Sequence, residues 1–310
     1  MTTRPTAPQD GRFDPVPSAV TGERRRLTDL AYRMLGSVAE AEDVVQETYA
    51  RWYAMSPRQR EAVLSPGGWL TKVAGRICLD VLRSARVRRE RYVGAWIPEP
   101  LPARTEWYAS AADDTAADPA DRITLDESVG MAFLVVLETM TPAERVAFVL
   151  HDVFRYPFAE VAAIVGRTPA ACRQLASSAR RRVEAARAPL SPTAQRARVV
   201  REFKLAWEAM DIDALVGLLD ADATAVGDGG GVVTALSHPI EGARRIARFL
   251  TGRRPDRLVL HERTVNGQPG LVAHLDGAVV SVYAFDIRDG RIRRIWAVLN
   301  PEKLRPWQTA

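Results

Sequence analysis

The chain has 310 residues, 47% of them apolar, a formal net charge of +5 and two cysteines. That length allows two or three domains with cores of their own. The longest apolar run, residues 131–137, is too short to span a bilayer, and the polar, Pro-containing start lacks the apolar segment of a secretory signal. A cytoplasmic protein with no membrane partner is therefore expected. Cys78 and Cys172 sit in apolar helical patterns that suit buried thiols, no Cys/His set has zinc spacing, and neither metal nor cofactor is expected.

Residues 1–20 read as a flexible tail, and 21–93 as a first helical domain. Leu27, Leu30, Ala31, Met34 and Leu35 mark one helix, which Gly36 and Ser37 interrupt. A second helix over 39–54 turns Val44, Val45, Thr48 and Trp52 inward. Asp43, Gln46 and Glu47 form an acidic and amide face near its start, where they suit either the helix dipole or a docking partner. Ser65-Pro66 opens a third helix with Trp69, Leu70, Val73, Ala74, Ile77 and Val81 as its apolar stripe. Lys72, Arg76, Arg83, Arg86, Arg88 and Arg89 make that helix basic, a pattern that suits the backbone of opened DNA, with Trp69 either stacking on a base or packing in the core.

Periodicity lapses over 94–125, a Pro- and Asp-rich linker. Within it WIPEPL (residues 96–101) is apolar and stiff, as a docking segment would be. Helices return over 126–188, where Thr141 and Glu144 form a capping box. The stretch 156–182, YPFAEVAAIVGRTPAACRQLASSARRR, has the grammar of a helix-turn-helix. Phe158, Val161, Ala162 and Val165 line one helix, Gly166 permits the turn, and Thr168-Pro169 opens the next. Arg173, Gln174 and Ser177 then face outward near its start, placed for base edges, while Arg167, Arg180 and Arg181 suit phosphates.

After Pro192 the pattern changes to an α+β domain over 193–310. An amphipathic helix with Val200, Phe203, Trp207 and Met210 inward precedes strands punctuated by Asp276-Gly277 and Asp289-Gly290. A curved sheet would offer a concave pocket, with His261, Glu262, His274, Tyr283 and Trp296 as candidate lining and an unknown small ligand as candidate occupant. Strand alternation keeps His261 and Glu262 from both pointing in.

AEDVVQETYARW (41–52), GGWLTKVAGRICLDVLRSARVRR (67–89) and the helix-turn-helix together resemble the extracytoplasmic-function (ECF) sigma factors of RNA polymerase, over roughly residues 23–187. The C-terminal domain resembles the SnoaL-like cone fold fused to one subgroup, whose signatures look like WIPEPL, DGGG (Asp228, Gly229, Gly230, Gly231) and NPEKL (Asn300, Pro301, Lys303, Leu304 among them). The resemblance implies two all-α sigma domains plus an α+β cone, with core polymerase (clamp and flap) and promoter DNA as partners. It implies clamp contact through Asp43, Gln46 and Glu47, minus-ten capture through Trp69 to Arg89, and minus-thirty-five reading through Thr168 and its neighbours. Trp96, Pro98, Glu99 and Pro100, with DGGG and NPEKL, would form a regulatory interdomain surface. Arg76 stands where many relatives have Asn, and Val232 where a basic residue often follows DGGG. Catalysis would belong to the polymerase. A ligand-responsive DNA-binding regulator without polymerase docking is the alternative, and residual enzyme chemistry in the C-terminal domain a third reading.

Overall fold

The computed structural model describes residues 18–89, 92, 94–102, 130–186, 191–236 and 238–308, without the side chains of 18–22 and 85–89. The expected tail up to residue 17 and the linker from 103 to 125 lie outside the described residues.

Helices α1 (Ser18–Leu35), α2 (Val38–Tyr53), α3 (Pro57–Glu61) and α4 (Pro66–Arg89) form a first group. Helices α5 (Met131–Glu138), α6 (Pro142–Phe148), continued by a wide turn over Val149–Val153, α7 (Phe158–Val165) and α8 (Pro169–Ala186) form a second. The local chemistry explains the boundaries. Both halves of the Thr141–Glu144 capping box are made, Gly166 ends α7 at φ +73°, and Thr168 caps α8 by accepting from the Ala171 amide at 3.2 Å. The two groups share one apolar core, in which Leu30, Leu70 and Cys78 of the first meet Leu150, Val161 and Ile164 of the second. Both cysteines are buried and free, and burial pushes both thiols up from their usual range.

The C-terminal region begins with α9 (Thr193–Glu208) and α10 (Ile212–Leu218), then β1 (Leu219–Asp228), β2 (Ile240–Glu241) and α11 (Ala243–Gly252). Strands β3 (Leu258–Val265), β4 (Gln268–Leu275), β5 (Ala278–Arg288) and β6 (Arg291–Val298) follow, and α12 (Arg305–Gln308) closes the described chain. The sheet order is β2-β1-β6-β5-β4-β3, with β1 and β6 parallel and the other pairs antiparallel. This is the expected α+β class.

The helices α9, α10 and α11 cover one face of the sheet, and here the pocket expectation needs correction. Phe203, Trp207, Tyr283 and Phe285 fill the covered side, with Tyr283 edge-on to Trp207 at 5.2 Å between ring centroids. Trp296 packs on the opposite face, with Val272, Val282 and Val298. His261 and His274 share that opposite face by strand alternation, because Leu260 and Ala273 beside them point toward the helices; their rings meet at 4.8 Å. Glu262 sits at the rim and pairs with Arg201 at 3.5 Å. Met210, expected inside, is exposed with φ 58°, because α9 ends at Glu208 and the chain reverses there. Among the described residues no helix is long and apolar enough to cross a membrane.

Candidate nucleic-acid interface

Helix α4 carries different chemistry on two sides. Lys72, Arg76 and Arg83 are exposed, with Arg83 3.4 Å from Asp80. The side chains of Arg86, Arg88 and Arg89, at the end of the same helix, lie outside the described residues. Trp69 is partly buried and edge-on to Trp52 at 5.2 Å, which favours the packing role. The other side of α4 meets the second helical group. Thr71 Oγ1 and the Tyr156 hydroxyl share a 2.7 Å hydrogen bond. A Cβ on Gly75 would come within 2.9 Å of Ile164, so the absent side chain makes a socket for that residue. Arg76, expected to face DNA, instead donates to the Ala163 carbonyl of α7 at 2.9 Å. Further along the same junction Arg145 donates to the Met34 carbonyl at 3.0 Å.

On α8, Arg173 and Gln174 are exposed beside Arg167 and Thr168, and the Arg173 guanidinium lies 5.3 Å from the Phe158 ring centroid. Ser177 accepts weakly from Arg181 at 3.4 Å. Arg180 departs from the expected phosphate role, because it donates to Asp152 at 2.6 Å. Burial raises the Asp152 carboxyl while Arg180 opposes that rise, so the guanidinium serves an internal charge first. On α2, Asp43, Gln46 and Glu47 stand exposed one turn apart, and Glu47 pairs with Arg51 at 2.8 Å. That face remains open.

The WIPEPL segment runs between the first helical group and the sheet, and Asp228 is the hub of its attachment. The Asp228 side chain is fully buried. Its carboxylate accepts from the Tyr92 hydroxyl at 2.5 Å, Lys303 Nζ at 2.7 Å, and the Ile97 and Gly230 amides at 3.0 Å. Four donors around one carboxylate satisfy a charge that would otherwise be prohibitive to bury. Lys303 also donates to the Ile97 carbonyl and sits 4.1 Å above the Trp96 ring. Asn300 donates to the Tyr92 hydroxyl at 3.1 Å and fills the space where a Gly230 Cβ would stand. Gly229 is equally committed, since a Cβ there would fall 2.0 Å from the Val233 carbonyl. Pro301 is exposed, whereas Leu304 is buried beside Ile97.

On its other side the segment grips the start of α2. Glu99 accepts from the Val38 amide at 2.8 Å, its own amide donates to the Gly36 carbonyl at 2.8 Å, and its carbonyl accepts from the Tyr32 hydroxyl at 2.7 Å. Gly36 holds φ +70° with Trp96 and Pro98 where a side chain would be. Burial pushes the Glu99 carboxyl up to about 7, against the Val38 amide, Lys303 and Ser37, which favour its charge. Pro100 and Leu101 finish the attachment: the Pro100 carbonyl accepts from Trp307 Nε1 at 2.8 Å, and Asn266 exchanges two hydrogen bonds with Leu101.

Tyr32, Asn266 and Trp307 were not among the expected interdomain residues, nor were Thr71, Gly75, Tyr156 and Ile164 of the helical junction. Trp307, three residues past NPEKL, was the one with a usable signal, an aromatic beside a docking motif.

Residues 19–88 match the Sigma-70 region 2 family and residues 130–183 the Sigma-70 region 4 family. Over 298 residues the chain is 38% identical to the ECF RNA polymerase sigma factor SigJ of Mycobacterium tuberculosis, covering 90% of each chain. The chain is an ECF RNA polymerase sigma factor. Similarity to the probable ECF sigma factor SigI of M. tuberculosis is 36% over 297 residues, covering 95% of this chain and 97% of that one. The crystal structure of M. tuberculosis SigJ superposes with a TM-score of 0.70 at 34% identity, over 92% of this sigma factor and 96% of that chain. As a sigma factor it works with core RNA polymerase and promoter DNA in transcription initiation.

Proposed function

We propose that this sigma factor rests in a closed form, which its own C-terminal domain maintains by clasping the WIPEPL segment. The units are residues 21–93, joined by the linker 94–125 to 126–188, and 193–310. Asp43, Gln46 and Glu47 meet the polymerase clamp, the second helical unit meets the flap, and both partners place the factor in the cytoplasm. Lys72 and Arg83, with Arg86, Arg88 and Arg89, serve the minus-ten strand, joined by Arg76 once it leaves the Ala163 carbonyl, while Arg173, Gln174 and Ser177 serve the minus-thirty-five groove. Thr168 presents the start of α8, and Arg167 and Arg181 steady phosphates. The single observation that carries the reading is the direct packing of α4 on α7. Elements centred about 25 bp apart are separated by roughly 85 Å along a duplex, at 3.4 Å per base pair. One molecule cannot occupy both while those helices touch.

On this reading the C-terminal domain acts by contact rather than chemistry. Its inner face is packed with Phe203, Trp207, Tyr283 and Phe285, so no small ligand is assigned to it. The test is promoter-dependent transcription with core polymerase, on promoters selected without an assumed consensus. The full chain is compared with a Lys303→Ala variant, a chain lacking 300–310 and a chain ending after residue 188. Initiation by any of them supports polymerase-dependent function. Higher activity after loss of Lys303 or of 300–310 supports the clasp, and activity no greater than that of the full chain overturns it.

A further inference from the structure

The strongest basic run outside the two expected DNA readers lies in the C-terminal domain. Residues 243–257, ARRIARFLTGRRPDR, hold six arginines against Asp256 alone, a net charge of +5 that equals the formal charge of the whole chain. Helix α11 sorts this run by face. Ala243, Ile246, Ala247 and Leu250 are buried, whereas Arg244, Arg245 and Arg248 are exposed. Arg245 and Arg248 stand one turn apart. Arg253, just past the helix, is exposed with its guanidinium 5.2 Å from the Phe249 ring centroid.

Acidic neighbours occupy only the flanks. Asp213 of α10 lies 3.8 Å from Arg244, and Asp276 lies 2.8 Å from Arg257. Asp220, Asp222 and Glu241 belong to β1 and β2, on which α11 packs. Arg245, Arg248 and Arg253 have no ion pair among the described residues. Unpaired like charges on a fixed helix face repel one another, and a polyanion relieves that repulsion.

Position then favours one polyanion. The buried side of α11 belongs to the core between the helices and the inner face of the sheet, whereas α5, the WIPEPL segment and α12 meet the outer face. The arginines of α11 are therefore open while α4 is committed to α7. We propose that Arg245, Arg248 and Arg253 form a third DNA-contacting surface, which binds the phosphate backbone of duplex DNA without reading its sequence. Such contacts hold and orient rather than discriminate, and a second tethered contact raises the effective concentration of the two readers at the duplex. The surface extends the promoter-binding reading but does not depend on polymerase. A chain that failed to start transcription would still have it.

The test is the affinity of the full chain for a duplex of about 30 bp lacking any selected promoter, followed from about 50 to 200 mM salt. Each phosphate contact contributes about 0.9 to the slope of log affinity against log salt. Arg245→Ala, Arg248→Ala and Arg253→Ala together are expected to lower that slope by about 2 to 3 and to weaken low-salt binding by at least roughly tenfold. Lysine at the same three positions is expected to keep the slope, and urea unfolding checks that all variants remain folded. An unchanged slope in the alanine variant overturns the proposal, as does a lysine variant that falls equally far. Loss of binding to anionic phospholipid vesicles or to core polymerase, with duplex affinity intact, overturns it in favour of a different partner.

Discussion

The junction between α4 and α7 and the clasp around Asp228 both join separate parts of the chain, yet they are built from different materials. The helical junction is a shared apolar core, with Leu70, Leu150 and the Gly75 socket for Ile164, edged by one hydroxyl pair and two guanidiniums on carbonyls. The polar contacts are worth about 1 kcal/mol each and water replaces them readily, so the apolar burial carries most of the strength. The clasp instead buries an ion pair, with Lys303 and Asp228 both shielded and the carboxylate receiving four donors. Removing one member leaves the others charged and dry. An apolar junction weakens one side chain at a time, whereas the members of a buried ionic hub fail together.

The largest expected effect comes from breaking the clasp. Asp228→Ala strands Lys303 and the Tyr92 hydroxyl, and should cost about 3–5 kcal/mol of domain docking, read as a lower urea midpoint and early proteolysis near residue 102. Asp228→Asn should cost less, since the amide keeps part of the hydrogen bonding.

Titration offers a second way to separate the two junctions. Glu99 is raised from 4.5 when free to about 7 in the clasp, so the docked state holds the extra proton between those values. Docking should therefore be strongest at low pH, weaken as pH rises from about 4.5 to about 7, and level off above that, a change of a few kcal/mol at most. Glu99→Gln should remove this slope from unfolding midpoints measured across the range. A slope that survives the substitution belongs to another group.

At the helical junction, Gly75→Leu should overfill the Ile164 socket and weaken packing by about 1–3 kcal/mol. The effect is read as increased separation between fluorophores on α2 and α8, with the clasp intact. Tyr156→Phe is the mildest probe. Loss of its bond to Thr71 should cost about 0.5–1.5 kcal/mol, visible as a small rise in the same separation.

The comparison also explains what the sequence made legible. Helix stripes, the capping box and the Asp-Gly turns are local patterns, and each led to the right element. WIPEPL, DGGG and NPEKL stood out as docking segments by composition and resemblance, although their convergence on Asp228 spans more of the chain than any periodicity does. Their partners were hidden because Tyr32 and Asn266 are single residues in otherwise regular surroundings. Gly75 carried no signal of its own, since its meaning lies in Ile164, far along the chain. Charge and spacing placed Arg76 and Arg180 outward, but neither can distinguish a phosphate from Ala163 or Asp152. Trp296, a candidate lining residue beside Tyr283, stands opposite Ala284 and so faces away from Tyr283, a register that only the strand pairing reveals.

Lys303 also has a place in time. A ribosome adding about 5–20 residues per second needs roughly 6–23 s to travel from Ala186 to Lys303. During that interval α4, α7 and α8 have been synthesised while the cation that completes the Asp228 hub has not. A growing chain therefore passes through a stage in which both halves of the reader exist without the clasp, and every newly made molecule begins unlatched.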